Sequence, residues 1–355
     1  MSTIIIETVN SISDELIGQN AEAMGLKITC DEQNKQISIH LHGGFPTLPL
    51  EKSFLPLLRT AIQQRYPSFE VTIDLDFFIK AHRTQLTGKG LRGVKNTIAV
   101  ASGKGGVGKS TVAINLATAL ARAGAKVGIL DADIYGPSIP MMLGAHQPVQ
   151  INGEHYLPVE AHGIYAMSIG YLMDGNQALI WRGPMLAKSL LQMLDITLWD
   201  DLDYLFIDLP PGTGDIQLSL VQKIPLTAAI VVTTPQNIAT LDAEKAIKMF
   251  ETTNIDVLGV VENMSMHVCG QCGNHTPLFG QGGGERLSEQ FKIPLLGQLP
   301  LDSRIRNHCD VGTPTAALVN DDLADAFMKT ALTMAITLAK KPLNYAEKFP
   351  PIVVE

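Results

Sequence analysis

Apolar and polar residues alternate along two early stretches of the chain. Ile37, Ile39 and Leu41 interleave with Ser38, His40 and His42, and Val71, Ile73, Leu75 and Phe77 repeat the same period further on. A two-residue period puts the apolar side chains on one face of a sheet, so both stretches predict half-buried strands. Residues 12–24 and 50–65 are helical in composition. The predicted order is helix, strand, strand, helix, strand, a small α+β domain over residues 1–79. From Thr97 onward the rhythm changes. Thr97–Ala101, Lys126–Leu130, Tyr204–Ile207, Ala228–Val232, Val257–Val261 and Leu295–Leu299 are short apolar runs, several of them separated by helical stretches. Strands that are apolar on both faces belong to a mostly parallel sheet covered by helices on each side. The expected fold class is therefore α/β over residues 96–342, closing with a helix from about Leu323 to Lys340 whose lysines sit at the end the helix dipole favours.

Between these domains, residues 80–95 hold Lys80, Arg83, Lys89, Arg92 and Lys95, no acid, and Gly88, Gly90 and Gly93. This reads as a flexible basic linker, with a docking segment for an acidic partner as the alternative. Residues 343–355 include Pro350 and Pro351 and read as an extended tail. Composition adds exclusions. With 46% hydrophobic and 17% charged residues the chain is ordinary globular protein, and its net charge of −8 speaks against a general nucleic-acid coat. No stretch approaches the roughly 18 unbroken apolar residues of a membrane helix. The start, M-S-T-I-I-I-E-T, has no basic region and is not expected to be a secretory signal. A cytoplasmic protein with no nucleic-acid and no membrane partner is expected. Four cysteines in 355 residues do not make a disulfide scaffold. Cys30, alone near a strand end, reads as a buried small hydrophobe.

Candidate chemistry begins at Ser102–Thr111, S-G-K-G-G-V-G-K-S-T. Gly103-x-x-x-x-Gly108-Lys109-Ser110 fits the phosphate-binding loop, with a predicted strand before it and a helix after it. Glycines 103, 105, 106 and 108, with Lys104 and Val107 between them, let backbone N–H groups turn toward phosphate oxygens, and the helix N-terminus adds positive charge. Lys109 is expected to reach the β- and γ-phosphates of ATP, and Ser110, followed by Thr111, to ligate Mg²⁺. Lys104 is one lysine more than such a loop needs. Asp131 and Asp133 close one apolar strand and Asp208 closes another; in a parallel sheet such ends gather at the ligand crevice. Asp208 is then the acid near Mg²⁺ and Asp133 the candidate to position the attacking water. Asp215 reads as the cap of the following helix, or as part of a switch with Gly212 and Gly214.

A second constellation lies in V-E-N-M-S-M-H-V-C-G-Q-C-G-N-H. Cys269 and Cys272 have chelate spacing, and soft metal sites take four ligands. His267 and His275 could complete a zinc site, Cys309 could approach from elsewhere, or a second subunit could bring its own pair at a two-fold axis. A redox pair or structural thiols are the remaining readings.

At these residues the sequence resembles known proteins. K-G-G-V-G-K-S-T looks like the deviant Walker A of the MinD/ParA/nitrogenase-iron-protein class of P-loop ATPases, where the extra lysine, here Lys104, reaches across a dimer to the other subunit's ATP. With D-A-D-I-Y-G-P-S-I-P, I-W-R-G-P-M, D-Y-L-F-I-D-L-P-P-G-T-G-D, V-E-N-M and C-G-Q-C-G in this order, the chain from about Leu91 to Gly312 resembles the Mrp/ApbC iron–sulfur cluster carriers. The resemblance implies a homodimer, a [4Fe–4S] cluster bridged by Cys269 and Cys272 of both subunits, and ATP-dependent delivery to apo iron–sulfur proteins, in company with cluster scaffold proteins. It implies adenine contacts from Asn263 and from Pro300 to Asp302, and a family element at Trp181 and Arg182. Where many family members open their small domain with D-P-E-L, this chain reads S-D-E-L-I-G-Q-N, a degenerate form. The alternatives are a positioning ATPase of the MinD or ParA type and a zinc-bound regulatory ATPase using Cys269, Cys272 and His275. The prolines of the tail argue against an amphipathic membrane helix there.

Overall fold

The computed structural model describes residues 2–17, 19–33, 35–86, 88–133, 136–172, 183–269 and 271–344. Gly270, Trp181, Arg182 and the tail prolines Pro350 and Pro351 lie outside them. The chain forms two compact units, Met1–Lys80 with Ala335–Lys341, and Ala81–Met334 with Pro342–Glu355.

The first unit runs α1 (Ser2–Ile17), β1 (Lys27–Gln33), β2 (Gln36–Gly43), α2 (Leu48–Arg65) and β3 (Glu70–Phe77). β2 is the middle strand, antiparallel to β1 and parallel to β3. The two-residue period holds: Ile37, Ile39, Leu41, Val71 and Ile73 are buried, as are Leu50, Phe54, Leu58 and Ile62 of α2. The first helix begins at Ser2, not near residue 12. Its run Thr3-Ile4-Ile5-Ile6 is β-branched and reads locally as strand, yet Ile5 and Val9, one helical turn apart, are buried. Cys30 is half-buried on β1, opposite Ile39.

The second unit continues β4 (Val94–Ala101), α3 (Lys109–Arg122), β5 (Val127–Asp131), α4 (Ile139–Met142), β6 (Gln150–Asn152), β7 (His155–Leu157), β8 (Val159–Ala161), β9 (Ile164–Ser168), α5 (Gly183–Ile196), β10 (Leu202–Asp208), α6 (Asp215–Lys223), β11 (Ala228–Thr233), α7 (Asn237–Thr252), β12 (Val257–Glu262), β13 (His267–Val268), β14 (His275–Thr276), α8 (Gly283–Phe291), β15 (Leu295–Gln298), α9 (Ser303–Asp310) and α10 (Asp322–Ala339), whose residues from Ala335 on count with the first unit. Its sheet has the order β15-β12-β11-β4-β10-β5-β9-β8. Every pairing in it is parallel except β8 with β9. Each apolar run read as a strand is one, and β4, β10 and β11 are buried almost throughout. β8 and β9 went unread because they are short and share a tight hairpin. His162 and Gly163 form its turn at φ 49° and 75°, the left-handed geometry of a two-residue connection.

Residues 81–95, expected as a loose tether, are anchored to this unit. The Gln85 side chain donates to the carbonyls of Val221 and Ile224 and accepts from the Leu226 N–H at 2.7 Å. Lys95 pairs with the largely buried Asp203 at 2.9 Å. At Gly93, φ is 75° and a Cβ would lie 1.8 Å from the Trp199 carbonyl oxygen. Gly93 therefore serves close backbone approach rather than looseness, whereas a Cβ at Gly88 or Gly90 would meet nothing within 4 Å. Gly93→Ala should destabilise the fold by about 2 kcal/mol or more, read as a lower urea midpoint; an unchanged midpoint would show that this contact yields freely.

Candidate nucleotide site and cysteine hairpin

β4, β10, β5 and β9 lie side by side, so Val100, Asp208, Asp131 and Ser168 are in register across one end of the sheet. β4 then turns through residues 102–108 into α3. Gly106 and Gly108 take φ of 85° and 82°, conformations that a side chain would strain. Gly103 has no room for a Cβ, which would sit 2.1 Å from the backbone of Asp242 on α7. Ser102 ties the loop together: its Oγ donates to the Lys104 carbonyl, and its own carbonyl accepts from the Gly212 N–H, both at 2.9 Å. The loop borders a cavity of about 200 Å³ lined by Ser102, Gly105, Gly106, Gly108, Lys109, Ser110 and Thr111, and across from them by Asp133, Ser138, Met142 and Pro211. Gly103, Lys104 and Val107 belong to the loop but not to that lining. Lys104 is half-buried, and no ion pair is made by it among the described residues.

The cavity floor is charged. Lys109, 6% exposed, donates from Nζ to Asp208 Oδ1 at 2.6 Å and lies 3.3 Å from Ser110 Oγ. Asp208 is fully buried, and its Oδ2 has no hydrogen-bond partner. Beside it Asp131 is also fully buried. Burial first, and the Asp208 carboxylate second, push Asp131 up to about 7. Its oxygens are occupied: Oδ1 accepts from the Asp133 N–H at 3.1 Å, and Oδ2 from the Ile139 N–H and the Ser168 hydroxyl. Asp131 thus braces the loop that carries Asp133 into the cavity, a role the sequence reading missed; the signal was an acid directly following an apolar run. Asp215 does not cap α6. Gly214 holds the cap position, and Asp215 is an exposed first-turn residue.

The two cysteines sit at the end of the β13–β14 hairpin. Cys269 N–H donates to the Asn274 carbonyl at 2.9 Å, and the Gly273 N–H donates to the Cys269 carbonyl at 2.8 Å. Cys272 is exposed and Cys269 half-buried. The backbone N–H groups of Cys272 and Gln271, then the Cys272 thiol, hold the Cys269 thiol below its ordinary range. The expected additional ligands do not gather with them among the described residues. His267 Nδ1 meets the Leu301 carbonyl at 3.1 Å, His275 is exposed, and Cys309 is buried in α9 against Asn115, where burial pushes its thiol up. Among the described residues no three metal-binding side chains gather.

The remaining expected nucleotide contacts flank the hairpin root. Asn263, 6% exposed, donates from Nδ2 to the Val107 carbonyl at 2.9 Å. Pro300 follows β15, and Asp302 caps α9 by accepting from the Arg304 N–H at 2.8 Å. The Arg304 guanidinium on Asp302 holds that carboxyl below the usual range. None of the three lines the phosphate cavity. Glu262, which sequence reasoning passed over, is buried and accepts from the Gly284 N–H at 2.6 Å and the Gln298 amide at 3.0 Å, fixing the start of α8.

A glycine loop between a buried parallel strand and a helix N-terminus, its lysine seated on a carboxylate of the neighbouring strand, defines a P-loop NTPase. The family model described as ParA, NUBPL iron-transfer P-loop NTPase, matches residues 93–335, and the chain belongs to that family. It is 61% identical over 228 residues to the iron-sulfur cluster carrier protein of Escherichia coli K12, covering 64% of this chain and 62% of that protein. It thus spans about three-fifths of the length of the first relatives it matches. Over nearly its whole length (99%, against 100% of the relative) it is 39% identical to the iron-sulfur cluster carrier protein of Deinococcus radiodurans. A solved nucleotide-binding protein of Archaeoglobus fulgidus, in complex with ADP, matches with a TM-score of 0.59 and 41% identity over 67% of this chain and 93% of that one. Among the described residues no helix is long and apolar enough to cross a membrane.

Removing Lys109 while keeping its bulk leaves the Asp208 charge buried and unpaired. Lys109→Met should destabilise the nucleotide-free protein at neutral pH by about 3–5 kcal/mol, and adding Asp208→Asn should recover much of the loss, measured by denaturant unfolding. Asp131 binds its proton more tightly folded than unfolded, so its contribution to stability is full below pH 3.8 and fades as pH rises to about 7. Over that window the stability of wild type relative to Asp131→Asn should fall; a flat difference would place the titration elsewhere.

Proposed function

We propose that the chain is an ATP-hydrolysing iron–sulfur cluster carrier that works in the cytoplasm as a homodimer, holding a [4Fe–4S] cluster as cargo and passing it to apo iron–sulfur proteins after receiving it from scaffold proteins. The hairpin carries this reading. It offers two thiols per chain, one of them predisposed to the thiolate, with no third protein ligand gathered beside them among the described residues. Two thiolates are half of the four that such a cluster takes, and a second copy supplies the other half about a two-fold axis. A zinc site built from one chain's cysteines and histidines fits the placement of His267, His275 and Cys309 less well.

The loop supports the ATPase part. Lys109 and the loop N–H groups would hold the phosphates, Asp133 would orient the water, and Lys104, with no ion-pair partner among the described residues, would reach the partner's nucleotide. A hard cation suits the donors present: Asp208 Oδ2 is buried without a partner, and the Ser110 hydroxyl lines the same cavity. Mg²⁺ held by Ser110 and Asp208 would neutralise phosphate charge. Asn263 and residues Pro300 to Asp302 would meet the adenine, Asn263 through its amide oxygen.

Anaerobic reconstitution with iron and sulfide, followed by metal analysis and sizing, tests this. Roughly four irons per dimer, lost in Cys269→Ala, is the expected outcome. About one zinc per chain and no iron would replace the carrier with a zinc-bound regulatory or positioning ATPase.

A further inference from the structure

The cysteine hairpin follows in sequence from a residue, Asn263, that is hydrogen-bonded to its own chain's phosphate loop. Asn263, the first residue after β12, donates from Nδ2 to the Val107 carbonyl at 2.9 Å, and Nδ2 lies only 2.3 Å from where a Cβ on residue 108 would stand. The Val107 carbonyl and the Gly108 N–H belong to one planar trans peptide and point in opposite directions. A donor fixed on that carbonyl therefore holds the Gly108 N–H turned the other way, and Gly108 lines the phosphate cavity. An anion accepting from that N–H polarises the peptide and strengthens the bond behind it.

From Asn263 the chain runs straight into the hairpin. Ser265 donates to the Leu299 carbonyl from both N–H and Oγ, each at 2.9 Å. The Leu301 N–H returns to the Met266 carbonyl at 2.9 Å, and His267 Nδ1 meets the Leu301 carbonyl. Cys269 is two residues further on. On the far side of the hairpin, Glu262 fixes α8 through the Gly284 N–H. The hairpin root is therefore held to the segment after β15, and through Asn263 to the phosphate loop.

We propose that Asn263 is a positioning residue that couples phosphate occupancy to the presentation of Cys269 and Cys272 within a single chain, independently of any dimer contact. For its use in cargo handling this rests on the carrier reading above, but the coupling itself concerns only nucleotide and thiols. Linkage makes it reciprocal: whatever fixes the thiols shifts phosphate affinity by the same factor.

The test uses the reduced, metal-free full chain, so it stands or falls apart from cluster binding. Iodoacetamide modification of Cys269 and Cys272 is followed by mass spectrometry without nucleotide and with saturating AMPPNP and Mg²⁺. In wild type the rates should differ by about fivefold or more, the low end of ordinary coupling. In Asn263→Ala, at AMPPNP concentrations raised to saturation for that variant, the difference should vanish although Lys104 is untouched. Ser265→Ala, a milder change at the root, should reduce it and serves if Asn263→Ala does not fold. A wild-type rate indifferent to AMPPNP, or a difference retained in both variants, would overturn the proposal; retention would assign the effect to dimerisation.

Discussion

One lysine faces two buried carboxylates. Lys109 is the ammonium on Asp208, and Asp131 lies in register beside it on the next strand. Burial first, and the neighbouring Asp208 carboxylate second, raise Asp131, while the donors on its oxygens work the other way and hold it in place. The arrangement settles where everything else goes. The Asp131 acceptors fix the entry to α4 and the loop bearing Asp133, Ser168 extends the same line onto β9, and the pair with Asp208 fixes the start of α3. A lysine drawn from Asp208 toward phosphate would leave that buried carboxylate in need of another cation. Phosphate and a divalent ion are therefore expected to enter together.

The cysteine hairpin follows a different logic. It has two-residue strands and an exposed tip, so little of its order comes from its own packing. Its position is inherited from the end of β12, where Glu262 and Asn263, adjacent in sequence, reach in different directions, one to α8 and the other to the phosphate loop. A parallel sheet makes this possible, since its strands all end on the same side and successive residues leaving one strand can address two neighbours.

Much of this was legible from residue order. Continuous apolar runs such as Tyr204–Ile207 announce a doubly covered strand, and glycine spacing at 103–108 announces the loop, because both are local requirements of backbone and solvent. What stayed hidden depends on distant partners. The isoleucines of α1 look extended until Ile5 and Val9 are buried together. Gln85 and Gly93 look like linker until Leu226 and Trp199 are brought against them. Asp131 and Asp133 look equivalent until Ser168 arrives from β9 and claims the first. Asn263 was read from resemblance as a base contact, and its bond to Val107 is visible only once β12 lies near β4's loop.

The two strands that end the large sheet are its shortest parallel and antiparallel members. β15 has four residues and β8 three. A sheet with long open borders invites another sheet to dock along them, and from there to grow without limit. Borders this brief present few free backbone groups in line, so copies of this protein gain little by adding strand to strand. Self-association is thereby steered away from open-ended growth and toward surfaces that can close on themselves.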